Sequence, residues 1–548
     1  MKNINIKNIS TYYLVKVSLF AFLSIVLVSC SDSFLDETPL SSLSAEQTLT
    51  SKQGFESFIN GLHWAAREEY SQSDNTFFIT NFPGTDVAED AGGEYYTYRN
   101  WVSYITPVTN EVKDNWKWAY TKMIPQANTI IGYANKPNLK DIWESESDKN
   151  MVIAQARFFR GYTYNFLANL YGGVPIVDTI ISSPKFDFKR VSREDVYKFA
   201  KEDLDFASKW LPVTVTKQGR ITKGAANHLL TEINISLGLY EEAIKSASDV
   251  IDSGEYSLMT NRFGKSKDLP GDVFSDLFKN GNFNRPSGNR ESIYVWQVED
   301  FIDGGRGSNG GNQVIRNAGP FLVKIGDPAG FYNVATAELG RGVGRVRGTN
   351  YSLYKIWDDP NDIRNSEYNM RRNFYYNNPN SPYYGQLIEK RTNAEDTLRS
   401  MYPYPRKIEG DPWNDSPTSG GIKDDVYVYR LAETYLLRAE AYMKNKQFQK
   451  AADDINTLRA RANASPISAS EVTIDFILDE RARELFLEEP RRRTLIRLNM
   501  LVERVQKYGL MESWRSTIKD YHGLWPIPQE VIDANYGATI EQNPGYSK

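Results

Sequence analysis

The chain has 548 residues, of which 41% are hydrophobic, 13% aromatic and 24% charged, and its formal net charge is −4. That length can bury a large core and usually divides into more than one unit. The mild acidity gives no sign of a nucleic-acid partner, and a single cysteine excludes a disulfide framework.

The first sixteen residues carry Lys2, Lys7 and Lys16 and no acidic residue, and Val17 to Val28 is an apolar run. A basic segment followed by an apolar one has the layout of a secretory signal. The run falls short of the roughly 20 residues that a bilayer span needs, which argues against a retained N-terminal anchor. It ends in Leu27-Val28-Ser29-Cys30. An aliphatic residue, two small or apolar residues and then Cys resembles the bacterial lipobox, in which a peptidase cuts before the cysteine and its sulfur carries lipid. Residues 1–29 are therefore expected to be a signal peptide and Cys30 an acylation site. Each buried methylene contributes about 0.8 kcal/mol, and two acyl chains already give stable attachment.

Three stretches follow helical spacing in pairs. In the first, Trp116 to Leu170, the second helix is marked by Ala156, Phe159, Thr163, Phe166 and Leu170. In Ile221 to Leu258, the positions Ala226, Leu230, Ile233 and Leu237 form one stripe, and Tyr240, Ile244, Ala247 and Ile251 the next. Ser253-Gly254 closes that second helix. In Val426 to Ala462, Ala432, Leu436, Ala439 and Met443 are answered by Ala451, Ile455, Leu458 and Ala462. Alanines at the crossings suit antiparallel helix pairs of the tetratricopeptide style.

Between about residue 257 and residue 424 the composition changes. Stretches such as DGGRGSNGGNQ, DDPND and NNPNSPYYG alternate with short strand-like runs such as Ser292 to Trp296. A long irregular segment within a helical scaffold usually carries the functional surface. Sugar rings offer apolar faces and a rim of hydroxyls, so their recognition wants a flat aromatic beside Asp, Asn, Arg or Gln. DVAEDAGGEYYTYRNW, from Asp86 to Trp101, supplies that mixture. Tyr95, Tyr96, Tyr98 and Trp101 are candidates to stack, and Asp86, Arg99 and Asn100 to hydrogen-bond. The alternative is that Trp101 packs in the core before the next helix. Phe331 and Tyr332, in GDPAGFYN, form a second candidate site, and Tyr375 to Tyr384 a third.

Three further motifs point to a family. AQARFFRGYTYNFLANLYGGVP (Ala154 to Pro175), VYRLAETYLLRAEAY (Val428 to Tyr442) and LDERARELFLEEPRRRTLIRL (Leu478 to Leu498) resemble, in order, the signatures of the SusD/RagB nutrient-binding outer-membrane lipoproteins. CSDSFLDETP and LWPIPQEVIDAN resemble that family's mature N-terminus and its C-terminal segment. Gly161 stands where Ala is usual, and Thr494 departs from the usual pair after the arginine run. The resemblance implies a mainly α, SusD-like fold with tetratricopeptide-like helix pairs and a large irregular region containing short strands. The expected division is 1–29 signal peptide, 30–256 N-terminal helical part, 257–424 irregular ligand-binding insertion and 425–548 C-terminal helical part. It also implies a surface-exposed, lipid-anchored place on the outer membrane and a SusC-like, TonB-dependent transporter as partner. The ligand implied is an oligosaccharide. A peptide, as in the RagB branch, is the nearest alternative, and a lipid-anchored glycoside hydrolase the distant one.

The sequence offers no catalytic constellation, so a binding protein and not an enzyme is expected. His63, His228 and His522 lack metal-ligand spacing, and no metal or cofactor is expected. Asp358, Asp359 and Asp362 suit a turn better than Ca²⁺. The motif charges Glu433, Arg438, Glu440, Glu480, Arg481 and Glu484 are expected to tie helices together as ion pairs.

Overall fold

The computed structural model describes residues 44–71, 80–92, 98–305, 310–325, 341–393, 396–416 and 419–546. Residues 55–548 form one compact unit. The short N-terminal unit contains α1 (Ala45–Thr48), closed by a capping box between Ser44 and Gln47.

The helices follow the apolar stripes. After α2 (Lys52–Ser71) and the single turn α3 (Trp101–Tyr104), α4 (Asn110–Trp118) runs into α5 (Ile124–Ala134). A π turn over Ala119–Met123 joins them just before Pro125, which has no N–H to donate. The long α6 (Glu146–Tyr171) is buried on every side in its second half, because α5 and α7 (Arg193–Trp210) both pack on it. Gly161 explains its departure from alanine: a Cβ there would lie 3.0 Å from the Ala200 carbonyl oxygen and 3.0 Å from Leu204. Arg160 closes the same α6–α7 contact, donating to Asp203 at 2.7 and 2.8 Å.

The helices α8 (Lys223–Ser236) and α9 (Tyr240–Ile251) form the next pair. The buried positions of α9 are Ala243, Ala247 and Val250, one step round from the stripe read from the sequence, with Tyr240 and Ile244 half-buried at its edge. The small alanines take the crossing and the larger side chains flank it. Among the described residues six short strands make three antiparallel ribbons. They are β1 (Ala88–Asp90), β2 (Ser292–Trp296), β3 (Val346–Gly348), β4 (Met370–Arg371), β5 (Tyr404–Pro405) and β6 (Val426–Arg430). The pairs are β1–β3, β2–β6 and β4–β5. The fully buried β2 thereby ties segment 257–424 to the chain that enters the C-terminal helices.

Those helices are α10 (Leu431–Lys444), α11 (Phe448–Arg461), α12 (Ile474–Leu485), α13 (Arg491–Arg497), α14 (Leu501–Tyr508) and α15 (Gln529–Ala534). The α10–α11 turn places Lys446 at φ 60°, and Ala451, Ile455 and Leu458 are fully buried against Ala432, Leu436 and Ala439.

The motif charges do join helices. Glu433 accepts from Arg481 at 2.6 Å, Arg438 grips Asp454 at 2.9 and 2.8 Å, and Glu440 holds Arg497 at 2.7 and 2.6 Å. Glu484 meets Arg364, Arg430 and Arg461, and Glu480 meets Arg364, Arg459 and Arg483. Burial would raise the pKa of Glu480, but Arg364, Arg483 and Arg459 outweigh it and hold the carboxyl at about 2. A carboxyl whose folded pKa is depressed adds stability above its unfolded pKa and loses that stability as pH falls through the folded value. Breaking such a buried set costs about 3–5 kcal/mol. Glu480→Gln is therefore expected to be less stable than the parent at neutral pH by an amount of that order. The gap should close as pH falls from about 4.5 to about 2. Urea unfolding across that range checks it, and a gap independent of pH would contradict it.

Candidate functional site

The described parts of the stretch from Asp86 to Trp101, residues 86–92 and 98–101, are held by α13 and α14. Asp86 is fully buried and accepts from Arg491 at 2.9 and 2.7 Å and from Arg504 at 2.9 Å. Burial would raise its pKa, but these two guanidiniums outweigh burial and hold the carboxyl below its usual range. Arg492 donates to the carbonyls of Thr80 (2.7 Å) and Pro83, and its guanidinium lies 4.2 Å from the centre of the Tyr98 ring and 5.2 Å from that of Trp101. Tyr98 and Trp101 are each 1% exposed. Trp101 packs against Tyr98 at 4.9 Å and His522 at 5.5 Å. Gly84, at φ 65°, lies under the Tyr98 ring, where a Cβ would come within 2.4 Å of it.

Three of the nominated side chains thus sit in the interior. Asp86, Tyr98 and Trp101 present no surface to a ligand, because arginines some 400 residues later in the chain claim them. Asn100 is exposed, and its side-chain oxygen accepts from the Ser103 N–H at 3.2 Å as the cap of α3. Arg99 lies over Trp514 at 4.6 Å and 3.7 Å from the Asp90 carboxylate. Tyr95, Tyr96, Phe331 and Tyr332 lie outside the described residues, as does Cys30. In the third stretch Tyr375 and Tyr384 are exposed on a hairpin-like loop closed by the Tyr375–Leu387 bridge.

The side chains best arranged for a ligand line a cavity of about 430 Å³ between α2, the turn before α8, and the end of β2. Helical spacing builds its α2 wall. Phe55, Ile59, Leu62 and Ala66 face the core, which leaves Asn60, Trp64 and Arg67, at i, i+4 and i+7, on the other side. Trp64 is half exposed. Lys122 Nζ stands 5.6 Å from the centre of its ring, held by Glu68 at 2.8 and 2.6 Å. Arg67 donates to the carbonyls of Gln297 (2.6 Å) and Gly304, and Arg220 to Glu56 (2.7 Å) and Asn60 (2.8 Å). His63 lies 3.3 Å from the Tyr294 hydroxyl, which accepts from Trp296 Nε1 at 3.2 Å. Burial, then Arg220 and Arg67, lower the His63 pKa to about 3, so the ring is neutral at physiological pH.

This arrangement can stack an apolar ring face on indole and bind a polar rim with amide and guanidinium groups. A second cavity, of about 550 Å³, is walled by Trp116, Tyr120, Ile180, Phe186, Val531 and Ile540. Its amides Asn128 and Asn535 are spent on backbone carbonyls, and its charged lining residues are Lys185 and Glu530. Among the described residues no three His, Asp or Glu side chains are grouped to hold a metal. Asp359 accepts the backbone N–H groups of Asn361 and Ser465, and Asp362 is committed to Arg364. Sequence reasoning missed Trp64, Arg67, Arg220 and Gln297. They meet only in three dimensions, and the one local signal was a Trp on the polar face of an amphipathic helix.

Helix pairs of tetratricopeptide type, tied by buried ion pairs and carrying an open cavity with an aromatic wall and a polar rim, define a helical ligand-binding protein. The sequence model of the SusD family matches residues 340–546, and a second, described as "Starch-binding associating with outer membrane", matches residues 33–235. The chain belongs to the SusD/RagB family. It is similar to SusD-like protein P2 of Formosa agariphila, with 26% identity across 96% of this chain and 99% of that one. The starch-binding protein SusD of Bacteroides thetaiotaomicron shares 38% identity over 22% of each chain. A SusD homolog from Bacteroides thetaiotaomicron of known crystal structure superposes with a TM-score of 0.70 at 20% identity, over 92% of this chain and 98% of that one.

Truncating a core Trp costs about 3–5 kcal/mol. Trp101→Ala is expected to lower the unfolding free energy by that amount in urea titration. A loss below about 1 kcal/mol, the scale of surface substitutions, would place Trp101 outside the core.

Proposed function

We propose that this protein is a glycan-binding lipoprotein of the outer-membrane surface. In this reading it captures an oligosaccharide and delivers it to a SusC-like, TonB-dependent transporter, acting by binding and not by catalysis. The observation that carries the ligand class is the half-exposed Trp64 beside Arg67, Arg220 and Gln297 in one cavity. The family's starch-binding description and the starch-binding SusD relative point the same way. Acylation at Cys30 would hold the protein beside its transporter, and tethering raises effective concentration without new contacts.

A large aromatic side chain fully covered by ligand contributes about 1.5–3 kcal/mol. With one face covered, Trp64→Ala is expected to weaken oligosaccharide binding by about 10- to 100-fold. Its melting temperature should hardly change, because Trp64 is half exposed. Calorimetry against a panel of neutral glycans, acidic glycans and peptides checks this. Peptide binding with no glycan binding would replace the ligand class by that of the RagB branch.

The transport half is tested separately. Pull-down from outer membranes in mild detergent should recover a TonB-dependent barrel, and Cys30→Ser should lose labelled fatty acid. Recovery of this chain alone would count against a transport partner, and unchanged labelling against the anchor.

A further inference from the structure

The cavity beside Trp64 has a floor that donates hydrogen bonds more than it accepts them. Trp296 Nε1 donates to the Tyr294 hydroxyl, and that hydroxyl is within 3.3 Å of His63 Nδ1. Trp296 fills one of the hydroxyl's two acceptor positions, and we assign the Tyr294 O–H as the donor to Nδ1. The imidazole proton of the neutral ring is then on Nε2. His63 Nε2 is buried and has no hydrogen-bond partner. Arg220, in the turn before α8, behaves in the same way. Its Nη2 is satisfied by Glu56 and Asn60, whereas its Nη1 is buried without a partner. A buried donor left unsatisfied costs free energy, so each atom calls for an acceptor.

Among the described lining residues the charged groups are Arg67, Arg220 and Asp303; Glu56 pairs with Arg220 from behind, and Asp425 acts on Arg67. The low proton affinity of His63 reports burial first and then the fields of Arg220 and Arg67. One free guanidinium N–H group and a neutral imidazole N–H together suit an oxyanion, whose oxygens can accept from both.

We infer that this cavity takes an acidic sugar residue, with Trp64 under the ring and the oxygens of a carboxylate or sulfate ester meeting His63 Nε2 and Arg220 Nη1. Neither atom is exposed in this conformation, so the contact requires the Arg220 head group and the His63 ring to turn towards the cavity. The inference rests on the glycan-binding reading above and narrows it from oligosaccharides in general to those bearing an oxyanion.

The test is calorimetry with the purified mature protein and four probes of matched length. These are an oligogalacturonate, a sulfated galacto-oligosaccharide, the unsulfated galacto-oligosaccharide and a neutral malto-oligosaccharide. At least one acidic probe should bind about tenfold or more tightly than the neutral ones. Which acidic probe binds distinguishes carboxylate from sulfate ester. The preference should shrink as salt rises from about 50 mM to about 500 mM, because the Debye length shortens. In Arg220→Gln the ratio of acidic to neutral affinity should fall towards one. Neutral probes binding as tightly as acidic ones would overturn this inference and leave the glycan reading standing. An acidic preference unchanged in Arg220→Gln would remove the cavity from it. Failure of every glycan to bind would overturn both.

Discussion

The helix α13 carries four arginines in seven residues and is buried along its whole length. Each guanidinium must find its partner before the molecule can close. Stripping such a charge of water costs several kcal/mol, and the pairing returns that only when geometry and hydrogen bonds are good. Here each arginine is claimed by a different part of the chain. Arg491 takes Asp86 in the loop before β1, Arg492 the carbonyls of Thr80 and Pro83, Arg493 takes Glu69 on α2 at 2.5 Å, and Arg497 takes Glu440 on α10. One short helix thus fixes the loop, the N-terminal wall and the tetratricopeptide-like pair relative to one another.

That constraint reaches the cavity through α2. Glu69 lies two residues beyond Arg67 and five beyond Trp64, and it also accepts from the Tyr162 hydroxyl on α6. With the end of α2 pinned by Arg493 and Tyr162, the rotation of the helix about its axis is set. Trp64 and Arg67 then face the turn before α8 and the end of β2. The strand end is held in turn by the β2–β6 ribbon. A cavity wall made from three separate parts of the chain is preorganised in this way, which would reduce the ordering cost of binding a ligand there.

The helical scaffold was legible because its signal is local. Apolar residues at helical spacing named α8, α10 and α11, and Ser292 to Trp296 read as a strand. The rotation of α9 came out one step away, since a wide apolar stripe does not say which of its members sits at the crossing. Charges on a helix are by default a solvated face, and the motif charges were read as ties because their spacing sets them beside the apolar stripes. The ligand loop was another matter. Asp86, Tyr98 and Trp101 have the composition of a sugar site, and nothing within that stretch shows that Arg491, Arg492 and Arg504 will bury it. Trp64 was passed over for the opposite reason: a Trp in an amphipathic helix reads as core until the helix is turned by contacts distant in sequence.

If the cavity between α2, the turn before α8 and the end of β2 is where ligand sits, a crystal structure with a bound oligosaccharide will show it. A sugar ring is expected on the exposed face of Trp64, with its polar groups within hydrogen-bond distance of Arg220 or Gln297. An oligosaccharide well ordered elsewhere on the molecule, with this cavity filled by solvent alone, would contradict it.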